Sequence, residues 1–538
     1  MTQKNFNKLI TIGMGILCIV VIGFVLHINF SYYFHFLHAD ISADLAFARE
    51  AVRTRSLFPQ GWLHLNEMRF FYITTPIALL YILLGNINMS YKIVVSIMLF
   101  LNIFLFWWAF KIKRLVTFFI GIIVLFLGFS GYYLFSVFDI LWINATLSTH
   151  IATILFTLGV YIRIYNNEKI QKWLVVLAII FAFLQGIQSI RVTIALYFPI
   201  IFLSLYPLTK DVFLENKFSF SNISKSQIFS SQKFSLALFV ANFIGIILIQ
   251  FFIRNGSVLV GYTRTTTGLR LSAARDIFNG DLMFSLAGIL ESLQLHGDIY
   301  VFSQLGILHL ARLVFLATII ILFLKIKKTS ANQQMFLLLL SSLVFLFLSQ
   351  LISQDIGMGG RINFTITFLV SFMAFIVLEE LLATKQNFLA TLYISFISFV
   401  VLVSMNNFGL YRNYELVQDR QQVANFIIEQ GLTLGYGHFW TGTPIAAVGN
   451  YNFVVIPLQH TESIFGYGFS QGISAYDFSR QVDRSFIVAP AIEFYWAVQL
   501  NETIAELTTQ GDRHQFGDIV LYIFDFDPFE IERIGSPY

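Results

Sequence analysis

Charge is what this chain most lacks. Only 12% of its 538 residues are Asp, Glu, Lys or Arg, where a soluble domain carries about a quarter. That excludes an ordinary soluble enzyme. It also excludes a nucleic-acid binder, which needs a basic face, and a disordered segment, which needs high charge and few apolar residues. Cysteine occurs once, as Cys18 inside an apolar run, so neither an intramolecular disulfide nor a cysteine metal cluster is open to the chain. Proline is scarce, at 9 residues. There is no Walker loop and no His-Glu-x-x-His pair, so P-loop and zinc-protease chemistries lack their residues. No repeat of solenoid period is present.

What is abundant is apolar. Hydrophobic residues make up 57% of the chain, and 61 of them are Phe. Long apolar runs fall at 10–30, 93–110, 115–135, 144–162, 173–190, 192–208, 234–253, 301–324, 335–352, 362–378 and 386–405. Each is near the roughly twenty residues that span a bilayer, which predicts eleven transmembrane helices. Lys4 and Lys8 precede the first run and no small-residue cleavage site follows it, so it reads as an uncleaved first span. The run at 70–85 is shorter, with Thr74, Thr75 and Pro76 near its start. It reads as a re-entrant or interfacial segment.

The basic residues support that count. If 70–85 does not cross, one side receives Lys4, Lys8, Lys111, Lys113, Arg114, Arg163, Lys169, Lys172, Lys210, Lys217, Lys225, Lys233, Lys325, Lys327, Lys328 and Lys385. The short loops on the other side then carry only Arg191 and Arg361. By the positive-inside rule the N-terminus is cytoplasmic and the C-terminus extracytoplasmic. This fits a multi-pass protein of a bacterial plasma membrane.

The two longest outer loops are 31–92 and 254–300. The segment 209–233 is rich in Ser and Lys and reads as a flexible cytoplasmic loop. From about residue 408 the polarity becomes ordinary. Gly435-Tyr436-Gly437 reads as a turn, runs at 452–458, 485–489 and 518–524 read as strands, and 414–430 and 499–509 as helices. Such alternation predicts a small α/β domain. The expected fold is thus a polytopic α-helical membrane protein with a small extracytoplasmic α/β C-terminal domain. The expected division is a transmembrane module over 1–407 and an outer domain over 408–538.

The unusual polarity lies outside, and the first outer loop holds most of it. Asp40 and Asp44 are four residues apart, so a helix sets both on one face. They follow directly on a span, at the membrane–water boundary. A carboxylate partly removed from water there has its pKa raised, which suits a general base. The plainer alternative is a cap at Asp40 for the helix 41–55, with Asp44 paired to Arg49 or solvent.

The run Asp40-Ile41-Ser42-Ala43-Asp44-Leu45-Ala46-Phe47-Ala48-Arg49, followed by Leu57-Phe58-Pro59, resembles the first outer loop of the C-type glycosyltransferase superfamily. That superfamily includes protein O-mannosyltransferases and the lipid A aminoarabinose transferase. Its pattern looks like Asp-Glu-x-x-Tyr-x-x-x-Ala-Arg, so Ile41 here replaces the usual second acidic residue, and Asp44 stands in reach as a substitute. The resemblance implies that Asp40 or Asp44 is the base that activates an acceptor hydroxyl. It extends in layout over about the first 380 residues. Asp139 lies in the second outer loop, where the family often has an acidic residue. Arg191, after Gly186-Ile187-Gln188-Ser189-Ile190, and Arg361, in Gly359-Gly360-Arg361-Ile362-Asn363-Phe364, resemble the basic residues near the lipid phosphate of the donor.

The loop 254–300 supplies Arg264 and Arg270 beside Thr265, Thr266, Thr267 and Gly268. The planar fork of an arginine matches a phosphate. With Asp139, Arg191, Arg361, Trp62 and Glu67 they make up the expected substrate-binding set. His309 and Arg312 stand three apart within a span and read as a structural pair, because an arginine at mid-span costs about 2.5–3.5 kcal/mol unless it faces protein or water. In the tail, Tyr436, His438, Phe439 and Trp440 could stack on a sugar or form a domain core.

These readings converge on a glycosyltransferase. It would move a sugar from a polyprenyl-phosphate carrier to an outer-face glycan, wall polymer or lipid, by an inverting single displacement. No cofactor is required; Asp40, Asp44 and Asp139 could share a divalent metal. The expected partners are the lipid-linked sugar, the acceptor and the bilayer, and no nucleic acid. The alternatives are a transporter or flippase of lipid-linked glycans, which requires a polar path through the bundle, and a non-catalytic assembly partner.

Overall fold

The computed structural model describes residues 3–31, 33–37, 39–57, 59, 62–64, 73–127, 148–188, 190–204, 228–255, 259–260, 304–326, 330–353, 365–408, 414–458, 471–472, 481–491 and 507–530. The structure is mostly helical. In chain order the helices are α1 (Gln3–Ser31), α2 (Tyr33–Phe36), α3 (Ala39–Thr54), α4 (Thr74–Leu84), α5 (Ile87–Phe110), α6 (Leu115–Leu127), α7 (Ser148–Tyr165) and α8 (Lys172–Gln188). There follow α9 (Thr193–Ser204), then α10 (Ile228–Arg254), α11 (Gln304–Lys325), α12 (Ser330–Ser353), α13 (Thr365–Ala383), α14 (Asn387–Phe408), α15 (Tyr414–Glu429) and α16 (Phe439–Val448). The strands are β1 (Trp62–His64), β2 (Leu259–Val260), β3 (Leu434–His438), β4 (Val454–Leu458), β5 (Gln471–Gly472), β6 (Ser485–Pro490), β7 (Asp512–Phe516) and β8 (Ile519–Phe524).

Helices occupy all or part of every expected span. Among the described residues, four stretches are long and apolar enough to cross a bilayer: Lys8–Ser31, Ile87–Phe110, Ser231–Arg254 and Asn332–Ser349. The helix α4 has 11 residues, about 16 Å at 1.5 Å per residue, roughly half the hydrocarbon thickness.

Packing divides the chain into two compact units. The first holds residues 1–28, 97–249 and 267–411; the second holds 29–96, 250–266 and 412–538. Unit one is a helix bundle. Its centre at α5, α6 and α13 is aromatic: Phe106, Phe110, Phe372 and Phe375 lie with ring centroids 4.7–6.5 Å apart, mostly tilted or edge-on. That is the geometry the ring quadrupole favours, and it accounts for part of the phenylalanine excess. The turns that join α5 to α6 and α7 to α8 carry the expected basic residues. Lys111 pairs with Glu168. Arg114 donates to the Glu379 carbonyl at 3.5 Å, and Arg163 to the Trp108 carbonyl at 2.8 Å. The turns at 111–114, 163–172 and 379–386 therefore lie at one end of the bundle.

A polar seam joins α7 to α10. His150 Nδ1 and Gln185 Oε1 are 2.9 Å apart, and Gln185 Nε2 donates to Thr153 Oγ1 at 3.2 Å. Asn242 Nδ2 donates to the Ala182 carbonyl at 2.9 Å, and Thr193 Oγ1 donates to Asn242 Oδ1 at 2.7 Å. Such mutual pairing is what groups removed from water require. Thr193 opens a π-helical turn, Thr193–Tyr197. Arg312 of α11 is buried at 1% exposure.

Unit two contains a five-stranded sheet of order β4-β3-β6-β8-β7. The pairs β4–β3 and β3–β6 are parallel, and β6–β8 and β7–β8 antiparallel. The parallel β3–β4 pair is bridged by α16, a β–α–β unit. Leu434, Tyr436, Ile456, Ile487, Val520, Phe524 and Phe529 fill one face. The turn expected at Gly435-Tyr436-Gly437 is instead the inner strand β3, between β4 and β6. Its glycines answer to packing: a Cβ on Gly435 would lie 2.3 Å from the Phe486 ring, and one on Gly437 2.7 Å from Val488. Tyr436 is core, with its hydroxyl on Asp527 Oδ1 at 2.6 Å and its ring edge-on to Phe529. The expected helix 499–509 lies mostly outside the described residues.

Candidate active site

The centre of unit two is α3. Its sequence is rich in alanine and free of Gly and Pro, which favours a helix. Arg55 ends it in the left-handed region, φ 52°. Ser56 N–H then reaches the Ala51 carbonyl and Arg55 N–H the Val52 carbonyl, the Schellman pattern. Ile41, Ser42, Ala43, Asp44, Leu45, Phe47, Ala48, Glu50 and Ala51 are all buried, so the helix is enclosed on nearly every side. The helices α4 and α16 and the strand β5 pack on it.

Two acids of α3 are thereby removed from water. Asp44 has no exposed surface and Glu50 only 3%. Glu50 is held by Arg53 through two bonds, Nε–Oε2 at 2.8 Å and Nη2–Oε1 at 2.6 Å. Asp40 lies one turn before Asp44, in the first turn of the same helix; its side chain is outside the described residues.

The tail closes over this turn. Arg420 Nη1 of α15 donates to the Leu37 carbonyl at 2.8 Å. Tyr451, just past α16, donates its hydroxyl to the Ser42 carbonyl, and the Arg49 guanidinium sits 5.6 Å over the Tyr451 ring. Asn88, at the start of α5, accepts from the Tyr33 hydroxyl at 3.1 Å and donates to the Ala447 carbonyl at 3.0 Å. Burial pushes the Arg420 guanidinium down to about 10, still far above neutral pH, so it remains a cation.

A second, three-stranded sheet of order β2-β1-β5 joins three distant segments. Leu63 pairs with Leu259 on one side and Gln471 on the other. Both long loops expected outside, and the tail, thus meet at β1. Trp62 is 2% exposed, edge-on to Phe47 at 5.0 Å, and its Nε1 has no partner among the described residues.

Of the expected site residues, Asp44 is buried on α3 and Trp62 is buried against Phe47 of the same helix. Arg191 lies in a short helical stretch, Ile190–Val192, of unit one, with its side chain outside the described residues. Glu67, Asp139, Arg264, Arg270 and Arg361 lie outside the described residues altogether. Val260 of β2, four positions before Arg264, pairs with His64 of β1. Sequence reasoning missed Glu50, Asn88, Arg420 and Tyr451. No local motif marks them, because each acts on a segment distant in the chain or reads as an ordinary helix charge. Among the described residues no three His, Cys, Asp or Glu side chains gather as a metal site would.

No protein-family model and no curated protein matches the chain in sequence. Its structure is similar to the crystal structure of ArnT from Cupriavidus metallidurans bound to undecaprenyl phosphate. The TM-score is 0.54 at 9% sequence identity, covering 98% of this chain and 99% of that one. ArnT is the lipid A aminoarabinose transferase, and at this identity the likeness shows that the chain shares the ArnT fold.

Proposed function

We propose that the chain is a membrane glycosyltransferase that takes a sugar from a polyprenyl-phosphate carrier. The observation that carries this reading is the fold shared end to end with a transferase bound to undecaprenyl phosphate. The enclosed helix with Asp44 at zero exposure supplies the chemistry. In the proposed reaction the acceptor hydroxyl attacks the anomeric carbon from the face opposite the phosphate. Its proton passes to the carboxylate of Asp44 or Asp40 as the carbon–oxygen bond forms. The bond to the phosphate oxygen breaks, and polyprenyl phosphate leaves as the anion, with inversion at carbon. A positioned base contributes roughly 10²–10⁴-fold. Arg191, Arg361 and Arg264 or Arg270 would balance the departing phosphate charge. Asp139, Trp62 and Glu67 would line the sugar or acceptor.

The reading includes eleven spans, a cytoplasmic N-terminus and an extracytoplasmic tail in a bacterial plasma membrane. It is supported by the basic turns 111–114, 163–172 and 379–386 sharing one end of unit one. The acceptor would be an outer-face glycan, wall polymer or lipid. A divalent metal on Asp40, Asp44 and Asp139 remains compatible with this chemistry, which does not require one.

The test is sugar transfer in membranes supplied with radiolabelled polyprenyl-phosphate sugars, for wild type, Asp40→Asn and Asp44→Asn. Loss of transfer in one well-expressed variant names the base. If no donor is consumed, or both variants match wild type, transport of lipid-linked glycans becomes the better reading.

A further inference from the structure

The two tail contacts on α3 grip it at chosen points. Leu37 lies three residues before Asp40, and Ser42 lies between Asp40 and Asp44. Arg420 takes the carbonyl of the first and Tyr451 that of the second. Both bonds go to backbone, so they fix the path of the first turn whatever its side chains do.

Each bond is supernumerary to the helix. Leu37 precedes α3, and a carbonyl such as that of Ser42 has a second lone pair after its own helical bond is made. Losing either donor therefore leaves the helix intact and frees only its placement. The donors themselves are firmly based. The chain leaves α16 through a Schellman turn, with Tyr451 N–H on the Ala446 carbonyl at 2.8 Å and Asn450 N–H on the Ala447 carbonyl at 3.0 Å. Asn450 and Tyr451 both hold positive φ, 54° and 56°, a costly conformation for non-glycine residues. That turn aims the Tyr451 ring at α3, where Arg49 covers it.

We propose that Arg420 and Tyr451 are positioning residues. The tail domain clamps the first turn of α3 and so sets the Asp40/Asp44 carboxylates at the distance that proton transfer requires. This rests on the glycosyl-transfer reading above. A displacement of about 1 Å at such a group costs roughly 10²-fold in rate.

The test compares Tyr451→Phe, which loses one hydroxyl and keeps the ring, with Arg420→Met and Arg420→Lys. Transfer kinetics are measured with radiolabelled polyprenyl-phosphate hexoses and an aminopentose. Amide hydrogen exchange over residues 41–46 is followed in the same detergent-solubilised full chain. The expected result is a fall in kcat of roughly 10–100-fold with KM within about twofold, faster exchange in the α3 turn, and restoration by Arg420→Lys. Unchanged kcat and unchanged exchange in folded Tyr451→Phe and Arg420→Met overturn the clamp. Faster exchange in both variants, with wild type itself transferring no sugar, upholds the clamp and overturns the glycosyl-transfer reading.

Discussion

Gly186 of α8 lies against the backbone of Asn242 in α10: a Cβ on Gly186 would stand 2.0 Å from the Asn242 carbonyl oxygen. The contact is reciprocal, since a Cβ on Gly245 would meet the Phe183 carbonyl oxygen at 2.3 Å. Backbone touches backbone here, as at small-residue crossings of membrane helices. Asn242 fastens the crossing with its bond to the Ala182 carbonyl.

A methyl group at either glycine has no side chain to push aside, so the helices themselves must part. Gly186→Ala and Gly245→Ala are expected to destabilise the bundle by about 1–3 kcal/mol, the usual cost of overpacking. Thermal unfolding in detergent checks this. Midpoints equal to wild type for both variants would show that the crossing is looser than described.

Asn88 makes one bond to the Tyr33 hydroxyl and another to the Ala447 carbonyl, at 7% exposure. Asn88→Ala takes the acceptor from the buried Tyr33 hydroxyl and leaves the Ala447 carbonyl with the Asn450 N–H, for a loss of about 1–3 kcal/mol. Asn88→Asp keeps the acceptor for Tyr33 and loses the donor to Ala447, so it fails to rescue. The readout is the unfolding midpoint of unit two, followed by protease sensitivity of the 439–458 segment. Rescue by Asp would mean that the Ala447 bond contributes nothing.

The helices and three tail strands were legible because hydropathy writes them directly. The strand runs at 452–458, 485–489 and 518–524 coincide with β4, β6 and β8. Gly435 and Gly437 misled, because glycine serves both turns and close approach, and only the Phe486 and Val488 side chains opposite them decide between the two. Gly186, in the run before Arg191, likewise owes its constraint to a distant segment, the Asn242 backbone. The enclosure of α3 was not legible at all. The bonds Arg420–Leu37 and Tyr451–Ser42 span 383 and 409 residues, and no periodicity in one segment reports its partner at such range. Asp44 was visible as an acid on a helix, but its full burial depends on the enclosure of α3 by distant elements such as α4 and α16.

Arg420 carries a buried cation whose pKa burial has lowered from the usual 12.5 to about 10. A group depressed in the fold adds stability only as pH rises through its folded value, because the folded state gives up its proton first. Wild type should therefore show no contribution from this residue between pH 6 and 9. In Arg420→Lys the same burial lowers a group that begins near 10.4. Its folded value moves toward the neutral range, and the stability of the variant should rise with pH below 10 where wild type is flat. Thermal midpoints across pH 7–10, read as variant minus wild type, check the sign. A flat difference would mean that the lysine ammonium escapes to water.

Trp62 separates packing from recognition. Its ring is buried edge-on to Phe47 in the strand that joins both long loops to the tail, while its Nε1 has no partner among the described residues. Trp62→Ala removes a large buried ring, and large aromatic deletions cost about 3–5 kcal/mol, so that variant should unfold early and lose activity with its fold. Trp62→Phe keeps most of the ring contact and gives up only the N–H. If that N–H serves packing alone, the Phe variant should keep both stability and transfer. If it donates to the sugar or acceptor that Trp62 is proposed to line, Trp62→Phe should stay folded and raise KM or lower kcat by about the worth of one hydrogen bond, roughly 3–10-fold. Unfolding midpoint and transfer kinetics on the same preparation decide between them, and full activity in a stable Trp62→Phe removes Trp62 from the substrate-binding set.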